Sequence, residues 1–244
     1  MIIKWQNIVS FAFMFFVLLL MPQKASAYMA SDVTTLRPNS SGKIVIDRQI
    51  YVPTGKVLII PIGSTVEFTE RGSIYAEGMI RIGYDGSRGI DADFTDEELD
   101  KEVRISSRAE ITTITVKGLQ ARLLIRKTIF DGEKFLNAFD YAKTDIRDSE
   151  FVTEHDTPLM SLYVNARTEM ADVSLKNKKS DGQGNTGGFS NTSLIEMFSY
   201  SYATMTRMTI ESPRSQFAIS IYGQSRLRID DSKFFECDIG LLVF

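Results

Sequence analysis

The stretch from Ile44 to Gly83, IVIDRQIYVPTGKVLIIPIGSTVEFTERGSIYAEGMIRIG, limits the fold more than any other part of this chain. Leu58 and Ile60 alternate until Pro61-Ile62-Gly63 ends the run. Val66 and Phe68 alternate until Glu70-Arg71-Gly72 ends the next, and the pairs Ile74/Ala76 and Ile80/Ile82 follow around Glu77-Gly78. Apolar residues two apart mark strands with one buried face. No apolar face persists at three-to-four spacing over two turns, and Pro53 and Pro61 stand where a helix would break. Strands this short, cut by glycine corners, suit a chain that turns every few residues and stacks on itself.

A longer repeat follows from Val103 onward. An Ile or Met, two residues, a small or apolar residue, one more, and a large apolar residue recur as Ile125–Phe130, Ile146–Phe151, Met170–Leu175, Met205–Ile210 and Ile229–Phe234. The terminal residues of successive copies are 21, 24, 35 and 24 apart, and the 35 contains an evident insertion, Asn177 to Ser190. Further period-two strands precede the copies at Phe135–Phe139, Met160–Val164, Leu194–Phe198 and Phe217–Ile221. A unit that buries nothing alone but repeats at a fixed phase is a solenoid coil. Phe130, Phe151, Leu175, Ile210 and Phe234 are expected to form one interior column, with Phe130, Phe151 and Phe234 fully buried. An antiparallel sandwich would show strands and turns but no phase-locked repeat.

The segment YVPTGKVLIIPIGSTVEF resembles the opening rungs of right-handed parallel β-helix repeat proteins of the pectate-lyase-like superfamily. That resemblance implies an all-β, right-handed parallel β-helix, with glycan or surface interaction as its commonest theme, and a bacterial source.

Residues 1–27 read as a signal peptide. Lys4 opens it, an apolar run of 14 residues spans Ile8 to Met21, and Ala25-Ser26-Ala27 offers a cleavage site before Tyr28. The run is too short to span a bilayer, so a secreted, periplasmic or cell-surface protein without a membrane span is expected. Residues 28–43 read as a polar cap or linker, and 44–244 as the β-helix, with insertions near 84–102 and 177–190. With 28 basic against 31 acidic residues, nothing favours a nucleic-acid partner. The single cysteine, Cys237, excludes an internal disulfide and reads as a small buried hydrophobe.

The residues that carry chemistry are few. His155 is the sole histidine, next to Asp156 in a corner between strands, and no serine lies in a G-x-S-x-G turn. Asp91, Asp93, Thr95 and Glu102 occupy calcium-loop positions, but Asp96 stands where that loop needs glycine. A solvated acidic loop is therefore expected, with a capped turn of helix over Asp96–Lys101; calcium is the one cofactor this loop suggests, and none is expected. Hydrolases resembling polygalacturonases carry N-T-D, D-D and G-x-G-H-G motifs. Here Asp230-Asp231 is the only D-D, and it falls at a corner of the repeat. Arg126, Arg147, Arg207 and Arg228 recur near one phase as a basic column, most simply a solvated charge ladder. The glycine-rich insertion containing Asp181 projects from the solenoid, and Tyr200 and Tyr202 offer stacking surfaces to a sugar. Candidate binding residues are thus His155, Asp156, Asp181, Tyr200 and Tyr202. The expected function is an extracellular binding or scaffold module recognising glycans or cell-surface polymers; the alternative is a lyase or hydrolase of acidic polysaccharides. Because Leu241, Leu242, Val243 and Phe244 run to the last residue without a polar cap, the chain is expected either to be a piece of a longer β-helix or to self-associate end to end.

Overall fold

A computed structural model describes residues 28–29, 33–85, 101–155, 157–178, 193–212, 217–235 and 239–244. The chain coils into a parallel β-solenoid, with no helix among the described residues. Each coil lays one strand on each of three faces. Face A is a nine-stranded parallel sheet running from Tyr28–Met29 to Ile239–Val243. Face B starts with Val33–Thr35, Val57–Pro61, Met79–Tyr84 and Arg122–Arg126; face C starts with Lys43–Ile46, Thr65–Phe68, Val103–Ser107 and Thr128–Asp131. Two 11-residue strands, Lys143–Thr153 and Arg167–Asn177, turn the corner from B to C without losing their mutual pairing, so the two faces join there. They separate again as Tyr202–Thr206 and Arg226–Asp230 on face B, and Thr209–Glu211 and Lys233–Phe235 on face C. Strand pairing reaches Tyr28–Met29 and Val33–Thr35, within the stretch expected to be a polar cap.

The repeat becomes a set of columns. Phe130 pairs with Phe151, Phe151 with Leu175, Leu175 with Ile210, and Ile210 with Phe234, and the column continues downward through Ile105, Val66 and Ile44. Ile125, Ile146, Met170, Met205 and Ile229 form a second. Phe130 and Phe151 are fully buried, as expected, but Phe234 is only partly buried. Among the described residues its strand pairs on one side, with Thr209–Glu211, and no described strand pairs on the other.

The residues between the two apolar positions build the B-to-C corner. Lys127, Asp148, Asp172, Arg207 and Asp231 all take left-handed backbone conformations, with φ between 43° and 56°. The small residue that follows then stitches the corner. Ser149 Oγ donates to the Arg147 carbonyl at 2.7 Å and accepts the Thr128 N–H at 3.2 Å; Ser232 Oγ does the same for Asp230 and Met208 at the same corner further along the solenoid. A hydroxyl here satisfies backbone groups that the bend takes out of the sheet ladder.

The leader, Asp156, Asp181, Cys237, the calcium-template residues Asp91, Asp93 and Thr95, and all but Lys101 of the helix expected over Asp96–Lys101 lie outside the described residues.

Candidate functional site

The A-to-B corner is where the outer surface gains chemistry. Phe139, Tyr163, Phe198, Tyr222 and Phe244, one from each of five coils, stack face to face at the end of face A. Their ring centroids are 4.5–5.0 Å apart and their planes lie within 6°. After each of the first three comes a tight turn with two left-handed residues: Asp140-Tyr141, Val164-Asn165 and Ser199-Tyr200. Paired positive φ values make type I′ turns, which normally call for Gly or Asn. The Ala142 and Ala166 N–H groups close two of these turns on the carbonyls of Phe139 and Tyr163, at 3.0 and 3.1 Å. Side chains other than glycine cost about 1–2 kcal/mol each in this conformation. The turns accept that cost while projecting Tyr141, Asn165 and Tyr200 from their second positions.

A furrow of about 780 Å³ lies beside these tips, lined by Tyr141, Asn165, Arg167, Glu169, Tyr200, Tyr202, Gln224 and Arg226 among others. The three tyrosines are 51, 58 and 38 % exposed, and Thr204 Oγ1 donates to the Tyr202 hydroxyl at 3.1 Å. A second hollow of about 270 Å³ shares Arg167 and Glu169 and carries the furrow across Lys143 and Arg122. Along its floor, Arg122 pairs with Lys143, Lys143 with Arg167, Arg167 with Tyr202, and Tyr202 with Arg226. All five side chains are exposed, and none of the four cations makes an ion pair among the described residues.

Arg126, Arg147, Arg207 and Arg228, read most simply as a solvated charge ladder, do not share one column. Arg126 and Arg147 are register partners, but Ala171 follows them, Arg207 lies at the B-to-C corner, and Arg228 pairs with Thr204. Each also lies against a carboxylate: Arg126 and Arg147 share Asp145 at 3.6 and 2.9 Å, Arg207 pairs with Asp172, and Arg228 with Asp230 at 2.8 Å. The unpaired cations stand elsewhere, and a simple count finds them. Eight residues before Phe130, Phe151, Leu175, Ile210 and Phe234 come Arg122, Lys143, Arg167, Tyr202 and Arg226.

Of the expected site residues, Tyr200 and Tyr202 come together in the furrow, joined by Tyr141, which sequence reasoning missed. His155 stands apart at the C-to-A corner, half exposed, with Nδ1 3.4 Å from Glu133 Oε1, and its carbonyl accepts from the Asn177 amide at 3.1 Å. Asp230 is tied to Arg228 and Asp231 serves the corner turn, so the D-D pair forms no carboxylate dyad. Glu196, half-buried on face A, has its carboxyl pushed above the usual range by burial; its register neighbours are Ser161 and Ser220. Among the described residues no three metal-ligating side chains converge.

Asp172 and Arg207 make a bidentate pair between coils, Nε to Oδ1 at 2.6 Å, and hydrogen bonding from Arg207 holds the Asp172 carboxyl below its usual range. A depressed folded-state pKa adds stability above the unfolded value that is lost as pH falls through the folded one. Asp172→Asn is therefore expected to lower the urea midpoint slightly at pH 7, the pair being exposed. The variant and the native chain should converge in acid once the pH falls below the lowered pKa of Asp172, which urea titrations at pH 7 and in acid check.

Compared with family models, with curated proteins and with solved structures, the chain finds no match in any of the three.

Proposed function

We propose that this chain is an exported glycan-binding module, a right-handed β-helix of the pectate-lyase-like kind that holds an extended sugar chain in the furrow along face B. The observation that carries the proposal is the convergence of Tyr141, Tyr200 and Tyr202, all exposed, on one furrow with Asn165, Gln224, Glu169 and two guanidinium groups. A pyranose ring has an apolar C–H face and a rim of hydroxyls. Tyrosine covers the first at little entropic cost, and amide, guanidinium and carboxylate groups pair with the second. The strained turn tips add support, because backbone strain clusters at ligand sites when surrounding packing holds it in place. The right hand follows from the strong preference of parallel crossover connections, and export follows from the leader, with cleavage before Tyr28.

The test is a titration of residues 28–244 with soluble oligosaccharides, neutral and acidic, with and without calcium. Because Trp5 is the only tryptophan and lies in the leader, the mature chain emits from tyrosine alone, and the part of the signal lost in a variant without Tyr141, Tyr200 and Tyr202 reports the furrow. Tyr200→Ala combined with Tyr202→Ala is expected to weaken binding about tenfold or more, the effect of losing stacked rings. Binding to no member of the panel, or binding unchanged in a variant lacking all three tyrosines, would overturn the proposal. New reducing ends or unsaturated products during the titration would assign polymer cleavage instead.

A further inference from the structure

From the tips of four successive A-to-B turns we infer that this edge of the solenoid is a docking ridge for a lipid surface: the tips enter the headgroup region and the flanking cations meet anionic lipids. Leu119 and Val164 do not line the furrow, so the ridge is independent of the glycan reading.

Residues at the centre of tight turns are ordinarily Gly, Asn, Asp or Ser. Here each of four consecutive turns presents one large apolar or aromatic side chain: Leu119, Tyr141, Val164 and Tyr200, which are 71, 51, 42 and 58 % exposed. Their coils are neighbours, since Ile114–Lys117 pairs with Leu136–Phe139, that strand with Met160–Leu162, and that one with Ser193–Met197. At a coil spacing of about 4.8 Å the four tips span about 14 Å in a row. Phe139, Tyr163 and Phe198, half-buried, stack directly behind them. Apolar residues scattered singly over a surface are ordinary, whereas a contiguous row marks a contact site. Val164 is the extreme case. It is β-branched at φ 33°, a backbone such side chains rarely adopt, and its exposure means that core packing does not compensate. Asparagine would suit both the turn and the solvent better. Strain of this kind, uncompensated within the chain, is found where a partner binds.

The shape of the site selects the partner. It is a convex corner and not a groove, so a flat, deformable surface covers it, whereas a folded protein would need a matching trough. Tyrosine suits a bilayer interface, with its ring against acyl carbons and its hydroxyl among headgroups. On the face B flank stand Arg122, Lys143, Arg167 and Arg226, all exposed. Asp145 and Glu169 lie among them, and Asp145 is already shared by Arg126 and Arg147. Four cations beside two carboxylates leave a positive margin, on stems long enough to reach headgroup phosphates. On the face A flank, Lys117 is held by Asp140 at 3.5 Å.

The experiment is flotation of residues 28–244 with vesicles of phosphatidylcholine, alone or mixed with phosphatidylglycerol. Binding to both is expected, tighter to the anionic vesicles, with the excess removed by salt. Leu119→Ser with Val164→Asn should lower binding to either vesicle at least about tenfold, from the lost burial of two apolar side chains. Arg122→Gln with Lys143→Gln should remove only the anionic excess. Because the mature chain lacks tryptophan, Leu119→Trp supplies a single reporter. Its emission should shift to the blue on vesicles and be quenched by brominated lipid, while Ile111→Trp, at an exposed position on the C-to-A corner, should not respond. Urea midpoints separate lost docking from lost fold, and Val164→Asn alone should raise the midpoint, asparagine being at ease in a left-handed backbone. No binding to either vesicle, binding insensitive to the Leu119 and Val164 changes, or an equal response at Ile111→Trp would overturn the inference. A dimer in sedimentation that the same double variant dissociates would also overturn it, assigning the ridge to a second copy of this chain. Oligosaccharide binding should be unchanged in that double variant, so this inference and the glycan reading can each fail alone.

Discussion

Replacing Phe151 by alanine is expected to destabilise the solenoid by about 3–5 kcal/mol, the range for truncating a fully buried aromatic side chain. Phe151 sits in a three-ring cluster with Phe130 and Phe135, whose centroids lie 6.2 and 4.7 Å from its own, and all three rings are fully buried. Phe135 comes from the corner entering face A, so the cluster ties face C to face A and two coils to each other. The loss should not stay local. Each coil packs only on its neighbours, and the stability of such an array is approximately a sum of coil and interface terms. A cavity here weakens the interface between the coils carrying Phe130 and Phe151. The transition in guanidinium should move to lower concentration and broaden, as the coils on either side begin to unfold separately. Phe234→Ala, at the same phase but only partly buried, should cost clearly less. Equal costs at the two positions would mean that the column does not have the packing described.

The column itself was readable from spacing alone, and the reason is physical. Parallel coils stack like on like, so the interior selects large apolar residues at one phase and leaves a period even where coil lengths differ. The corner residues are a different case. Lys127, Asp148, Asp172, Arg207 and Asp231 share a left-handed backbone but no side-chain type, because the corner constrains φ and does not bury these side chains in the core. Nothing in a list of Lys, Asp, Asp, Arg and Asp announces a turn. Phe234 shows the limit in the other direction: its phase predicts burial, while its exposure depends on whether a strand pairs above it.

The furrow was half legible. Tyr200 and Tyr202 stood out as aromatic residues just beyond a strand, whereas Tyr141 looked like any other corner residue before Asp140-Tyr141 was seen to share a turn type with Ser199-Tyr200. The cation ladder was written in the same 21, 24, 35, 24 spacing as the core column. The arginines beside the repeat's first apolar residue are more conspicuous in the sequence, yet they are the ones that lie against carboxylates. Sequence distance reveals which residues align, but whether an aligned charge is paired depends on the neighbouring column, where Asp145 lies beside Arg126 and Arg147.

Gly83→Ala is expected to cost about 2–4 kcal/mol, by two mechanisms that a second substitution separates. Ile60 pairs with Ile82 and Pro61 with Tyr84, so Gly83 is the extra residue of a bulge, at φ 79°. A β-carbon there pays the usual left-handed penalty, about 1–2 kcal/mol. It would also run into the carbonyl oxygen of Arg126 on the next coil, a backbone atom that cannot rotate away. Gly55 has nearly the same φ, 80°, but nothing within 4 Å of an added β-carbon, so Gly55→Ala should pay the first penalty alone. The difference between the two unfolding free energies therefore measures the close approach of the coils. Equal values would remove it. The consequence for binding follows from what Arg126 does. Its carbonyl accepts the Thr128 hydroxyl at 2.9 Å and so anchors the corner, and its strand, Arg122–Arg126, carries the first cation of the furrow. Pushing that strand aside should disturb the hollow it lines, so Gly83→Ala is expected to weaken binding in the furrow more than Gly55→Ala does.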